Sequence, residues 1–199
     1  MISLGNKIIC FVIMAILISS SIEENNYKTA FFGAGCFWCV EAVFEELNGV
    51  IGVVSGYSGG SEETANYNSV CSGDSDHAEI CQITYNPNII SFKILLEVFF
   101  LAHDPTTINK QGNDIGSQYR SIIFWNTDKE RKLANQHINF LEESGVYDNI
   151  VTELVPLHKF YKAEINHQNY FKLNTNQPYC TFIIRPKLNK LRNKLKKYY

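Results

Sequence analysis

The chain has 199 residues, 45% of them apolar, which is enough for one sizeable core and argues for a single catalytic domain. Its 18 basic and 20 acidic side chains leave a net charge of −2, so no one-signed field draws in nucleic acid or strongly acidic substrates. Recognition has to come from a pocket.

At the N-terminus Lys7 precedes the apolar run Ile8–Ile18 and then Ser19, Ser20 and Ser21, the layout of a secretory signal peptide. The run is shorter than the roughly 20 apolar residues of a membrane span. Residues 1–21 are therefore expected to be a signal peptide, with an uncleaved anchor as the alternative, and 22–199 the catalytic domain. This places the mature protein in the secretory pathway, outside the cell or in a periplasm. Cys10 would leave with the signal, and Cys36, Cys39, Cys71, Cys81 and Cys180 would remain. An odd number argues against a purely structural disulfide framework. A catalytic thiol in an exported compartment needs a reductant to keep working.

Lys28–Phe32 reads as a strand, Gly33-Ala34-Gly35 as a tight turn, and Phe37–Leu47, with Val40, Phe44 and Leu47 at helical spacing, as a helix. Val50–Val54 and Ala78–Tyr85 carry strand signals, and the long connection between them, rich in Gly, Ser and Asn, is of a kind that is often functional. Ser91 caps a helix through Leu101, and Ser121–Trp125 is the next strand. Thr127 with Glu130 makes a capping box for a helix to about Ser144, which Gly145 ends. Ile150–Val155 is expected as a strand and Phe160–Leu173 as a helix. The tail after Pro186, with Leu188, Leu191 and Leu195 among lysines, reads as a solvated amphipathic end. The order strand, helix, strand, strand, helix, strand is the split βαβ arrangement. The expected fold is thus an α+β two-layer sandwich on a mixed, largely antiparallel sheet with a ferredoxin-like core.

In this layout Cys36 sits at a helix start, where unpaired N–H groups and the positive dipole end favour a thiolate. Phe37 and Trp38 can line an apolar pocket for a methyl or thioether group, or pack as ordinary core aromatics. Cys39 completes Cys-x-x-Cys, which closes a local disulfide or supplies half a metal site. No second such pair or His motif provides the remaining ligands, so no metal is expected.

Gly35-Cys36-Phe37-Trp38-Cys39-Val40-Glu41 resembles the signature of the peptide methionine sulfoxide reductase A family. The likeness continues in Tyr67-Asn68-Ser69-Val70-Cys71-Ser72-Gly73, in His77-Ala78-Glu79, in His103-Asp104-Pro105-Thr106-Thr107 and from Gln111 to Ser121, and covers about Lys28 to Lys190. The resemblance implies reduction of the S epimer of methionine sulfoxide, free or in proteins, with roles carried over position by position. Cys36 attacks the sulfoxide sulfur, Glu79 protonates its oxygen, Tyr67 and Tyr119 hydrogen-bond that oxygen, and Asp114 orders the polar network. A sulfenic acid forms on Cys36, and a second thiol condenses with it. Cys180 stands where many members keep a recycling cysteine and is the first choice. Cys39, in place of the family's usual glycine, is the alternative or a relay partner. The resemblance further implies no bound cofactor, a thioredoxin-like or other dithiol reductant, and a monomer.

Three other readings compete, one of them a non-catalytic binding module, in which sulfoxide would release no methionine and leave Cys36 unchanged. Gly56-Tyr57-Ser58-Gly59-Gly60 matches a hydrolase nucleophile elbow, which requires a helix directly after it. A thioredoxin-like dithiol oxidoreductase shares the strand and Cys-x-x-Cys layout but leaves Tyr67, Glu79 and Asp114 without a purpose. Cys71 and Cys81 are expected as buried structural thiols. His77 and His103 are expected as hydrogen-bonding groups in or near the site wall, and His137, His158 and His167 on helix or loop surfaces.

Overall fold

The computed structural model describes residues 26–199; the expected signal segment and Cys10 lie outside the described residues. In chain order the elements are β1 (Lys28–Ala34), α1 (Phe37–Glu45), β2 (Val50–Ser58), α2 (Tyr67–Ser72), β3 (Ala78–Tyr85) and α3 (Phe92–Ala102). They continue with β4 (Lys110–Gln111), β5 (Asp114–Ile115), β6 (Ser121–Trp125), α4 (Asp128–Glu143), β7 (Glu153–Pro156), β8 (Tyr161–Lys162), α5 (Tyr170–Leu173) and α6 (Arg185–Lys194).

The main sheet runs β7-β6-β1-β3-β2-β8, and its inner four strands pair antiparallel in the split βαβ order. β7 joins β6 in parallel, which makes the sheet mixed as expected. Alternation along β1 explains the two layers: Ala30, Phe32 and Ala34 face the helix side, where Phe32 meets Phe44, Phe92 and Phe99 at 5.0–5.9 Å between ring centres. Phe31 faces away into a smaller cluster with Ile80, Ile122 and Phe124.

The expected caps are present. Ser91 accepts from the Ile94 N–H at 3.3 Å and Thr127 from the Glu130 N–H at 3.2 Å. Glu130 answers through the Asn126 N–H at 2.8 Å. The polar connection after β2 holds α2, capped by Asn66 and ended by Gly73 at φ +80°.

Two expectations need correction. Phe160–Leu173 is not one helix: Tyr161 and Lys162 pair with Gly56 and Tyr57 at the β2 edge. Gln168 bonds both the N–H and the carbonyl of Ser55, and Asn169 breaks any helix at φ +52°. Tertiary pairing overrides the local pattern here. The tail is also not a solvated end, because Leu188, Leu191 and Leu195 are at most 4% exposed and close the core beside α1 and α3. Arg192 fastens it to Glu46 with bonds of 2.8 and 2.6 Å. Leu188→Ala should therefore lower unfolding stability by about 2–5 kcal/mol. A urea midpoint equal to that of the parent protein would contradict this placement.

Candidate active site

The β1–α1 turn carries the site. Gly35 holds φ +87°, and a Cβ there would lie 2.7 Å from Gln111, so the turn and the β4–β5 hairpin touch with no room for a side chain. Cys36 is the N-cap residue of α1, and its carbonyl accepts from the Cys39 and Val40 N–H groups at 3.0 and 3.4 Å. Its sulfur is not the solvated thiolate expected from the helix start. Burial pushes the Cys36 thiol well up, and its hydrogen bond to Cys39 and the nearby Glu79 carboxyl act in the same direction. The hydrogen bond from Cys36 instead lowers Cys39, to about 7, against burial and with help from the Lys187 ammonium. The two sulfurs thus share one proton, which rests on Cys36.

Glu79, on β3, is 1% exposed and accepts from the Phe37 N–H at 3.0 Å. Burial pushes its carboxyl up to about 8; that hydrogen bond opposes the shift and the Asp114 charge adds to it. It remains protonated at neutral pH. Tyr67 at the start of α2 and Tyr119 ahead of β6 are half-buried, and burial raises both phenols, so both stay neutral donors. Asp114, on β5, accepts from the Tyr179 hydroxyl at 2.8 Å.

An aromatic wall stands beside these groups. Phe37 is fully buried and supports the wall from beneath, its ring 5.4 Å from His167. Trp38 is half-buried and stacks on Tyr170 at 3.7 Å, while Tyr179 meets it edge-on. His167 corrects an expectation: it is 5% exposed rather than on the surface, and it stacks on Tyr67 at 4.3 Å and on Trp38 at 5.6 Å. Two acids hold this wall. Glu41, 1% exposed, accepts from the Asn169 and Tyr170 N–H groups at 2.9 and 3.0 Å. Glu164 accepts from the Tyr67 N–H and the Tyr57 hydroxyl, each at 2.9 Å. Sequence reasoning missed His167, Tyr170 and Tyr179 because their segment reads as helix and tail; only the density of aromatics there hinted at a wall.

Cys39 lies 3.6 Å from the Tyr179 hydroxyl. Both site sulfurs line a cavity of about 190 Å³ with Asp114, Tyr179, Ile183 and Lys187. Cys180 is wholly buried in the π-helical turn Cys180–Ile184. Cys81 is buried and donates to the Phe37 carbonyl at 3.4 Å, whereas Cys71 is only half-buried, one turn from Tyr67 on α2. His77 bonds the Gly60 N–H and Ser61 carbonyl, and buried His103 bonds the Phe99 carbonyl and Ser121 hydroxyl. Ser58 donates to the Lys159 carbonyl, and only the single 3-10 turn Glu62–Thr64 follows Gly60 where the elbow needs an α-helix, so the elbow reading falls. Among the described residues no His, Cys, Asp and Glu group is placed to hold a metal.

A cysteine pair sharing a proton beside a buried, protonated carboxyl, on a split βαβ sheet, defines a thiol-dependent oxidoreductase. The sequence model of the family described as peptide methionine sulfoxide reductase matches residues 28–199. The chain is 52% identical over 165 residues to the peptide methionine sulfoxide reductase MsrA of Natronomonas pharaonis, covering 82% of this chain and 93% of that protein. It superposes on reduced Mxr1 from Saccharomyces cerevisiae with a TM-score of 0.72 at 35% identity, over 81% of this chain and 93% of that one. Against Mxr1 in complex with Trx2 the TM-score is 0.51 at 26% identity, over 73% and 87%. The chain belongs to the peptide methionine sulfoxide reductase family.

Because Lys187 favours the Cys39 thiolate, Lys187→Met should move the first thiolate midpoint of the pair upward from about 7, and Lys187→Arg should restore it. Ultraviolet thiolate absorbance against pH checks this; coincident curves for all three proteins would remove the ammonium's role.

Proposed function

We propose that the protein reduces the S epimer of methionine sulfoxide, free or within proteins, with Cys36 as nucleophile and Glu79 as acid. The Glu79 carboxyl carries this reading, since it is buried, pushed up to about 8 and fixed by the Phe37 N–H beside Cys36. A sulfoxide oxygen leaves only when protonated, and an ordinary carboxyl has no proton to give at neutral pH. Cys36 passes its proton to Cys39 and attacks the sulfoxide sulfur. Glu79 protonates the oxygen, which Tyr67 and Tyr119 hold through their hydroxyls. In the adduct the hydroxyl shifts from the methionine sulfur to the Cys36 sulfur as the bond between the two sulfurs breaks with its electron pair on methionine, which departs and leaves Cys36 as sulfenic acid. Trp38, stacked on Tyr170, receives the methyl group with Phe37 beneath it, and Asp114 orders the network through Tyr179.

The sulfenic acid condenses with the Cys39 thiol, releasing water and forming a Cys36–Cys39 disulfide. Contact between the two sulfurs favours this order over direct attack by Cys180, the first choice from sequence. Cys180 is buried and is influenced by Cys39 rather than Cys36, which suits it to a relay position. A thioredoxin-like dithiol then reduces the disulfide, a reading supported by the solved complex of Mxr1 with Trx2. The layout of residues 1–21 supports export, where a resident dithiol would replace the cytosolic reductant.

With dithiothreitol as reductant, the S epimer should turn over and the R epimer should not; activity on R alone, or on neither, overturns the reading. The rate should rise with pH as the cysteine pair ionises near about 7 and fall as Glu79 loses its proton near about 8. Peptide mapping after one equivalent of substrate should give a Cys36–Cys39 bridge. A Cys36–Cys180 bridge with Cys39 free would return Cys180 to the resolving role.

A further inference from the structure

A second opening lies beside the site. It is a cleft of about 870 Å³ between α6 and the end of α3 with the segment after Gly145. Lys187 and Gln111 line both this cleft and the catalytic cavity, so the two openings adjoin. The catalytic cavity, about 190 Å³, is smaller than the roughly 300–1,000 Å³ of sites that enclose a whole ligand. Cys36 lines it while Glu79, Tyr67, Tyr119 and Trp38 do not, so it reaches the sulfur from the Asp114 and Lys187 side, and a peptide on that side must lie outside it, in the cleft.

One wall of the cleft is cationic. Lys187, Lys190 and Lys194 follow i, i+3, i+7 spacing, which places them on one face of α6. None of the three is in an ion pair among the described residues. Asp104 and Asp148 line the cleft too, on the side facing α6, where the Thr106 N–H and hydroxyl hold Asp104 Oδ1 at 3.0 and 2.6 Å, so the negative charge is separated from the lysine wall. Burial lowers His103, also in the wall, to about 4, so it adds no charge at neutral pH. From Lys187 to Lys194 the helix axis advances about 10 Å, the length of about three residues of extended chain.

We propose that this cleft binds the peptide flanking the oxidised methionine and favours acidic side chains within about three residues of it. The inference rests on the activity proposed above. Continuity with the cavity that holds Cys36 points to substrate peptide as the occupant, and the lysine wall to acidic flanks.

The test uses peptides holding one methionine S-sulfoxide flanked on either side by Asp, Ser or Lys, with dithiothreitol as reductant and N-acetylmethionine S-sulfoxide as the reference substrate. Relative to that reference, kcat/KM should be roughly threefold to tenfold higher for Asp than for Lys flanks, the scale of two exposed ion pairs. The preference should fade as salt shortens the screening length from about 10 Å at 0.1 M toward about 3 Å at 1 M. Lys190→Glu with Lys194→Glu should invert it, and the single Gln variants should weaken it if the double variant fails to fold. A flank-independent rate, or a preference that survives both charge reversals, overturns the proposal. So does a variant effect seen only with a thioredoxin-type protein reductant, which would make the cleft a reductant dock. Loss of turnover on the reference substrate by the parent protein would instead overturn the activity reading itself.

Discussion

The bond from the Phe37 N–H to Glu79 Oε2 joins the two halves of the chemistry. Its donor is a free N–H of the first turn of α1, and its acceptor sits on β3, the strand next to the one that delivers Cys36. Glu79 satisfies that N–H inside the protein, and its depth keeps the carboxyl protonated. Cys36 and Glu79, the proposed nucleophile and acid, are therefore placed by the sheet rather than by long loops. The glycine turn at Gly35 brings the β4–β5 hairpin, and with it Asp114, against the same spot.

The inner sheet, its two long helices and their caps were legible in the sequence because their signals are local: alternation in β1 and β3, Ser91 and Thr127 before apolar or acidic turns. Cys36, Glu79, Tyr67, Tyr119 and Asp114 were legible through ordered motifs, and the structure gathers them around one turn. What escaped depends on long-range contact. Gln168 completes the bonding of Ser55, 113 residues away in the chain, and nothing near residue 168 announces that. The same holds for His167, whose stack against Tyr67 and Trp38 exists only once β8 has joined the sheet edge. The ionisation of Cys36 escaped for a different reason. A helix start favours a thiolate, yet burial and a neighbouring sulfur that accepts the Cys36 thiol's hydrogen bond, and so keeps the proton on Cys36, outweigh it.

A net charge of −2 also hid an uneven surface. The C-terminal helix concentrates lysines on one side while its leucines enter the core, so a bland total coexists with a cationic wall next to the catalytic cavity. Packing explains the arrangement: the leucine face is fixed by α1 and α3, and the remaining face is left for long cationic side chains.

The π-helical turn Cys180–Ile184 acts as a phase shifter for this segment. Each residue of an α-helix advances the side chain by about 100°, so one residue inserted in a wider turn rotates everything on one side relative to the other. Upstream, Tyr179 is aimed at Asp114; downstream, Ile184, Leu188 and Leu191 are aimed at the core. In a helix of uniform pitch those two headings would be out of step, and the segment could serve the cavity or the core but not both. The single wide turn lets one stretch of chain be wall and foundation together.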